Sequence, residues 1–258
     1  MKLDFSPKNV YNETTTSYGG ASMDCKQVQS LAETLKQNIS TVISGKDPVI
    51  EKVILSLLCS GHILLEDIPG TGKTTLAKAL AKSIRCGFKR VQFTPDLLPS
   101  DLTGINFFNQ KEGEFVFKKG SVFTNILLGD EINRATPRTQ SSLLECMEEG
   151  QVSVDGVTYA LDKPFLVIAT QNPIEIQGTF PLPEAQLDRF FVRLKMGYPD
   201  TESETRMLTG RVSQNPLDAL APVLSGEEIV EAQAAVRMVK VGQAVASYIV
   251  RLAEATRN

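Results

Sequence analysis

An α/β fold on a parallel five-stranded sheet is predicted for this chain by three features of its order. Five short apolar runs, at 63–65 (ILL), 91–93 (VQF), 126–128 (ILL), 165–169 (FLVIA) and 190–194 (FFVRL), read as buried strands. Helical segments separate most of them, an alternation that covers both faces of a parallel sheet. Past Tyr198-Pro199 the pattern turns to helices without strands. The expected organisation is a polar, disordered tail over 1–24, an αβα core over 25–199 and a small helical appendage over 200–258.

The first 24 residues are rich in Thr, Ser, Asn and Gly and lack sustained periodicity. From Val28 onward, Val28, Leu31, Leu35, Ile39 and Val42 recur at three and four, the spacing of one helix face. A second helix follows Ser44-Gly45-Lys46-Asp47-Pro48 and carries Val49, Ile50, Val53, Ile54 and Leu57. Two intervals interrupt the simple alternation, 107–117 (FFNQKEGEFVF) and 152–161 (VSVDGVTYAL). Each reads as two extended arms around a polar turn, and the Asp155-Gly156 pair in the second is a strong hairpin signal. Helices are expected at 201–209, 226–239 and 242–256.

Composition narrows the function classes. The 258 residues are 42% apolar and 22% charged, with 27 basic and 30 acidic side chains and a net charge of −3. That balance argues against a globally basic nucleic-acid coat, and the Lys118-Lys119 pair beside the first hairpin is a weak basic feature. No run reaches the 18 apolar residues of a membrane span, and the N-terminus lacks a secretory h-region, so a cytoplasmic location is expected. Cys25, Cys59, Cys86 and Cys146 form no CxxC pair, and the single histidine, His62, completes no zinc set with them. Without a secretion signal the N-x-S/T matches at Asn12 and Asn38 carry little weight. A Ser-His-Asp hydrolase is disfavoured, since no GxSxG turn exists and His62 precedes a buried strand.

Chemistry enters where the run Ile63-Leu64-Leu65-Glu66 passes into Asp67-Ile68-Pro69-Gly70-Thr71-Gly72-Lys73-Thr74-Thr75 and then a helical segment. Strand, glycine-containing loop and helix, in that order, are what a phosphate cradle needs. Gly70 and Gly72 allow successive backbone N–H groups to face one anion, and the helix points its positive end the same way. Lys73 supplies charge for the β- and γ-phosphates, and the Thr74 hydroxyl can ligate Mg²⁺. Asp67 stands where the eight-residue pattern has its first glycine, at the strand-side mouth of the loop.

A second apolar strand ends in Gly129-Asp130-Glu131. Asp130 at the strand end can serve the Mg²⁺ shell while Glu131 polarises water for in-line attack. Alone, two such acids fit a solvated turn equally well. The strand at 165–169 exits into Gln171-Asn172-Pro173, where an amide could orient the attacking water or simply begin an Asn-Pro turn. Arg189 immediately precedes the last strand. It reads as a solvated cation or as a guanidinium at a subunit border stabilising a transferring phosphate.

The strings GHILLEDIPGTGKTTLAKALA, ILLGDEINRATPRTQSSLLECMEEGQVSVDG and FLVIATQNPIEIQGTFPLPEAQLDRFF resemble the MoxR family of AAA+ ATPases, and the likeness runs from about Val28 to Arg257. The same two hairpins occur in the related ATPase subunit of magnesium chelatase. The GAFTGA loop of the more distant transcription activators is absent. The resemblance implies an AAA+ P-loop NTPase that binds ATP and Mg²⁺. Pro69, Gly70, Thr71, Gly72, Lys73, Thr74 and Thr75 would form the nucleotide loop, with Ile43 and Gly45 on the adenine side. Thr74 and Asp130 would serve the metal. Glu131 would be the catalytic base beside Lys73, with Asn172 as the sensor-1 amide and Arg189 as an arginine finger reaching a neighbour's γ-phosphate. It further implies a homo-oligomeric ring, expected as a hexamer, with chaperone-like work on client proteins and a von Willebrand factor A-domain partner. Family members continue into further lid helices with a sensor-2 arginine, so the lid is expected to be truncated at Asn258. Two alternatives accompany this reading: a nucleotide-gated binding scaffold with little turnover, and a magnesium chelatase-like metal-insertion subunit.

Overall fold

The structure is a computed structural model that describes residues 23–66, 70–172, 178–198, 201, 205 and 216–257. Its centre is a five-stranded sheet in the order β2-β5-β8-β1-β9, with β1 at Ile63–Glu66, β2 at Phe88–Gln92, β5 at Ile126–Asp130, β8 at Leu166–Gln171 and β9 at Val192–Leu194. Every neighbouring pair is parallel. All five strands therefore finish along one edge of the sheet.

Side chains alternate between two apolar layers, as the two-residue period of a strand requires. Ile63, Leu65, Ile126, Leu128, Leu166 and Ile168 face one layer. That layer is closed by α1 (Cys25–Ser40), α2 (Asp47–Leu58) and α3 (Lys73–Ser83). Leu64, Leu127, Val167 and Ala169 face the other, against Phe93, Leu102 of α4 (Pro99–Thr103), and Leu143, Leu144 and Met147 of α5 (Pro137–Glu149).

Helix α1 starts three residues before Val28, the first apolar position of its stripe. The cause is a capping box: Asp24 Oδ1 accepts from the Gln27 N–H (2.8 Å) while Gln27 Oε1 accepts from the Asp24 N–H (2.7 Å). Asn38, one of the two sequon asparagines, is structural. Its amide donates to Ser83 Oγ at 2.9 Å and to the Ala221 carbonyl at 3.0 Å.

The expected strand at 91–93 lies instead at Phe88–Gln92. As the edge strand it is only partly covered, with Phe88 against one apolar layer and Val91 against the other, so the mixed run FKRVQ suffices there, and Phe93 turns into the core just beyond it. Both hairpins form: β3 (Gly104–Asn109) with β4 (Glu114–Lys119), and β6 (Gln151–Val154) with β7 (Val157–Ala160). They meet through a Phe117–Tyr159 ring stack at 4.1 Å and an Asn106–Asp155 hydrogen bond of 2.7 Å.

The C-terminal region is helical, with α7 at Pro216–Ala219, α8 at Gly226–Arg237 and α9 at Gln243–Ala255; the short α6 spans Glu184–Leu187. Lys82 of α3 donates to the Leu217 and Asp218 carbonyls, each at 2.9 Å. Ile229 and Ala232 of α8 join the α1–α3 layer, and Gln233 donates to the Leu57 carbonyl at 2.6 Å. Helix α9 buries none of its residues. The expected tail over 1–22 and most of the expected helix at 201–209 lie outside the described residues.

Candidate functional site

Because the strands are parallel, the segments leaving β1, β8, β5 and β2 emerge along one edge of the sheet, where open α/β sheets bind ligands. Strand β1 leads to the glycine loop. Gly70 (φ +88°) and Gly72 (φ +89°) take left-handed conformations that a side chain would strain, and Gly72 is the N-cap of α3. That cap makes no side-chain hydrogen bond, and the first turn holds no acid. A Cβ at Gly70 would meet nothing within 4 Å, and one at Gly72 only Met196 Cε at 3.9 Å. The result is an open backbone surface at a helix N-terminus, which fits a phosphate group. Thr71, Lys73, Thr74 and Thr75 are half-buried around it. Pro69, with Asp67 and Ile68, lies outside the described residues.

The segment expected on the adenine side is tied to this loop. Ile43 is buried, Gly45 has φ +71°, and the next residue, Lys46, is itself buried. Lys46 Nζ donates to the Met196 carbonyl (2.7 Å) and the Tyr198 carbonyl (2.5 Å). Met196, whose side chain borders Gly72, therefore joins residues 43–46 to the glycine loop.

The acids lie two strands away, with β8 between. Thr170, fully buried on β8, holds both: its hydroxyl donates to Asp130 Oδ1 (2.6 Å) and accepts the Glu131 backbone N–H (2.9 Å). Glu131 sits at φ +56°, ψ +52°, an uncommon backbone for a glutamate and one that the Thr170 bond supports. Arg90 reaches Asp130 Oδ2 through Nη2 (2.6 Å) and Nε (3.2 Å). Gln92 Nε2 donates to Glu131 Oε2 (2.8 Å), which also receives Arg134 Nη1 (3.1 Å). Asn172, half-buried just beyond β8, stands between the acids and the glycine loop in strand order; Pro173 lies outside the described residues. A threonine hydroxyl at a helix start and a strand-end carboxylate are hard oxygen donors of the kind Mg²⁺ takes, so the residues present fit that ion.

Arg189 stands apart. Val192 pairs with Ile63, the first residue of β1, so Arg189 approaches the opposite end of the sheet from the glycine loop. A four-residue strand rises about 13 Å, and turns at either end add to that separation. Its guanidinium pairs with Glu148 of α5.

Sequence reasoning passed over Arg90, Gln92, Thr170 and Arg134. The alternation Arg90-x-Gln92 on one strand face was the available signal, because it points both polar groups the same way. His62 has a purely structural place. Its Nδ1 accepts from the Val167 N–H (3.0 Å), so the proton lies on Nε2, which donates to the Met147 carbonyl (3.0 Å). Burial pushes its pKa below 6.5, keeping the ring neutral. Among the described residues no group of three or more His, Cys, Asp or Glu is arranged to hold a metal ion. No described helix is long and apolar enough to cross a membrane.

Residues 62–192 match the family model described as "ATPase family associated with various cellular activities (AAA)". The chain is 49% identical over 222 residues to the YeaC protein of Bacillus subtilis, covering 86% of this chain and 69% of that one. It is 41% identical over 240 residues to the chaperone MoxR1 of Mycobacterium tuberculosis, covering 93% and 63%. A 2.00 Å crystal structure from Cytophaga hutchinsonii, presumed there to be an ATPase, superposes with a TM-score of 0.81 at 41% identity, over 89% of this chain and 69% of that one. This chain thus spans a little under two thirds of MoxR1 and somewhat over two thirds of the other two. With the glycine loop, the strand order and the paired acids in one frame, these likenesses settle the family: the chain belongs to the MoxR family of AAA+ ATPases.

Proposed function

We propose that the protein binds ATP with Mg²⁺ and hydrolyses it in a ring of identical subunits, to drive chaperone-like remodelling of client proteins. The observation that carries this reading is the strand order β5-β8-β1, which sets Asp130-Glu131, Asn172 and the Gly70–Thr74 loop side by side at one sheet edge. In this reading the backbone of 70–74 and Lys73 hold the phosphates, and residues 43–46 border the base. Thr74 and Asp130 hold Mg²⁺, which when bound supplies charge neutralisation at the β- and γ-phosphates. Glu131 accepts the proton of the attacking water, and Asn172 orients that water. Glu131 must first exchange its Gln92 and Arg134 partners for that water.

Arg189, at the far end of its own sheet, serves a neighbouring subunit's nucleotide. Its position supports a shared site, because a finger acting within its own subunit would have to span the sheet. The ring is expected as a hexamer, and the joined hairpins are the elements offered to a client or to a von Willebrand factor A-domain partner. A cytoplasmic location goes with this reading, supported by four unpaired thiols.

The test is ATP turnover per subunit against protein concentration, with Glu131→Gln and Arg189→Ala alongside. Turnover should rise with concentration and collapse in both variants. Mixing Arg189→Ala with Lys73→Ala subunits should restore part of it, because some interfaces regain one intact loop and one intact finger. A flat, negligible rate with tight nucleotide binding would replace the ring ATPase by a nucleotide-gated scaffold.

A further inference from the structure

Asp130 has both carboxylate oxygens engaged, and the two partners differ in kind. Thr170 holds Oδ1 from a fully buried position on a central strand. Arg90 holds Oδ2 from the sheet edge, with its side chain 47% exposed against 14% for Asp130. An edge-strand arginine with solvent on one side can turn away without disturbing the core, whereas Thr170 cannot. Arg90 Nη2 also donates to Gln92 Oε1 (3.2 Å), the amide whose other end holds Glu131 (2.8 Å). Arg90 therefore touches one acid directly and the partner of the other.

We propose that Arg90 is a resident counter-cation of Asp130: it neutralises the carboxylate while no divalent cation is there and leaves Oδ2 when the metal–nucleotide complex binds. This rests on the reading of Asp130 as a metal ligand. A guanidinium and a divalent cation repel one another, so a cation placed at Asp130 opposes the short charge-assisted bond that Oδ2 makes to Arg90. The consequence is competition. Arg90 weakens the apparent affinity for divalent metal, and its departure removes the donor that orients the Gln92 amide toward Glu131.

The experiment is a Mg²⁺ titration of fluorescent-ADP binding, which needs no turnover, on wild type, Arg90→Gln, Arg90→Lys and Asp130→Asn. Removing the competing charge should lower the half-saturating Mg²⁺ concentration about fivefold in Arg90→Gln, equivalent to about 1 kcal/mol, the upper end for a partly exposed pair. Arg90→Lys, which keeps the charge, should stay near wild type, and ADP binding in EDTA should be the same in all three. In Asp130→Asn the metal dependence should weaken, and adding Arg90→Gln to it should have no further effect. An unchanged or raised Mg²⁺ requirement in Arg90→Gln would overturn the proposal and make Arg90 a fixed positioning residue for Asp130. A parallel loss of ADP binding in EDTA would overturn it too, by placing Arg90 on the nucleotide or in the fold. Were Asp130→Asn to keep the wild-type metal dependence, the metal-ligand reading would fail, an outcome distinct from failure at Arg90.

Discussion

Replacing Thr170 by valine is the sharpest test of how the two acids are held. Valine keeps the shape of threonine and puts a methyl in place of the hydroxyl, so the volume on the central strand is kept while the hydrogen bonds are lost. Two bonds go: a 2.6 Å donation to the Asp130 carboxylate and a 2.9 Å acceptance from the Glu131 N–H. A hydrogen bond to a charged group contributes about 1.5–3 kcal/mol and a neutral one about 1 kcal/mol. Asp130 retains Arg90 and some water, which offsets part of the first loss, whereas the Glu131 N–H is left without its acceptor at a residue already in the left-handed region. The expected net cost is about 2–3 kcal/mol. Thr170→Ser, which keeps the hydroxyl and loses a buried methyl, should cost about 1 kcal/mol. Parallel urea denaturation of the three proteins measures this, and turnover gives a second readout. Valine should depress kcat about a hundredfold by misplacing Glu131, while serine leaves it within a few fold. If valine costs no more stability than serine, or leaves kcat intact, the hydroxyl does not organise the acids and the account of the site is wrong.

Three further outcomes follow from the same geometry. The folded-state pKa of His62 lies below 6.5, so the unfolded chain binds the extra proton: stability is whole above pH 6.5 and declines as pH falls below it, by up to about 1.4 kcal/mol per pH unit. Urea midpoints at pH 7.5 and 5.5 should show this, and His62→Leu, unstable at both, should lose that part of the pH dependence. Burial raises the thiol of Cys146 to about 12 and that of Cys86 to about 11, whereas Cys25 is exposed; Ellman's reagent at pH 8 should label Cys25 at once and Cys146 only on unfolding. Lys46→Met strands the Met196 and Tyr198 carbonyls; it should cost about 2 kcal/mol of stability and weaken nucleotide binding with and without Mg²⁺ alike.

The parallel sheet, both hairpins and the glycine loop were legible because each rests on a local signal. Apolar runs of strand length, Asp155-Gly156, and the glycines before Lys73 all act within a few residues. The strand at 91–93 is displaced because β2 lies at the sheet edge and is only partly covered, so FKRVQ lacks the apolar run that marks a central strand. Helix α4 is five residues long, too short to show a period. The start of α1 was hidden in a polar pair, Asp24 and Gln27, whose meaning is positional. At the site, Asp130, Glu131 and Asn172 could be picked out by residue type and strand position. Arg90 and Gln92 are marked only by sharing a strand face, and Thr170 by nothing local, because their roles depend on strand order. Residues 90 and 130 are 40 apart in sequence and meet only because β2 pairs with β5.

That pairing also bears on why turnover should need assembly. Three of the candidate chemical groups in the subunit are already engaged: Asp130 with Arg90 and Thr170, Glu131 with Gln92 and Arg134, Arg189 with Glu148. The arrangement is balanced in charge, so no single group is poised to act until its partner is exchanged. In the proposed ring, Arg189 would trade Glu148 for a phosphate that a neighbouring subunit brings within reach. Glu131 can act as a base only once Gln92 and Arg134 release it. An isolated subunit would then bind nucleotide but turn it over slowly. Breaking one resting pair gives a direct check, because Glu148→Gln removes the partner of Arg189 without touching the nucleotide loop. If the pair restrains the finger, Glu148→Gln should lower the protein concentration at half-maximal turnover by a few fold, within the modest energy of a partly exposed ion pair. It should leave the affinity for ADP unchanged. An unaltered concentration dependence would mean that Arg189 is not held back by Glu148, and assembly would have to be limited elsewhere on the subunit surface.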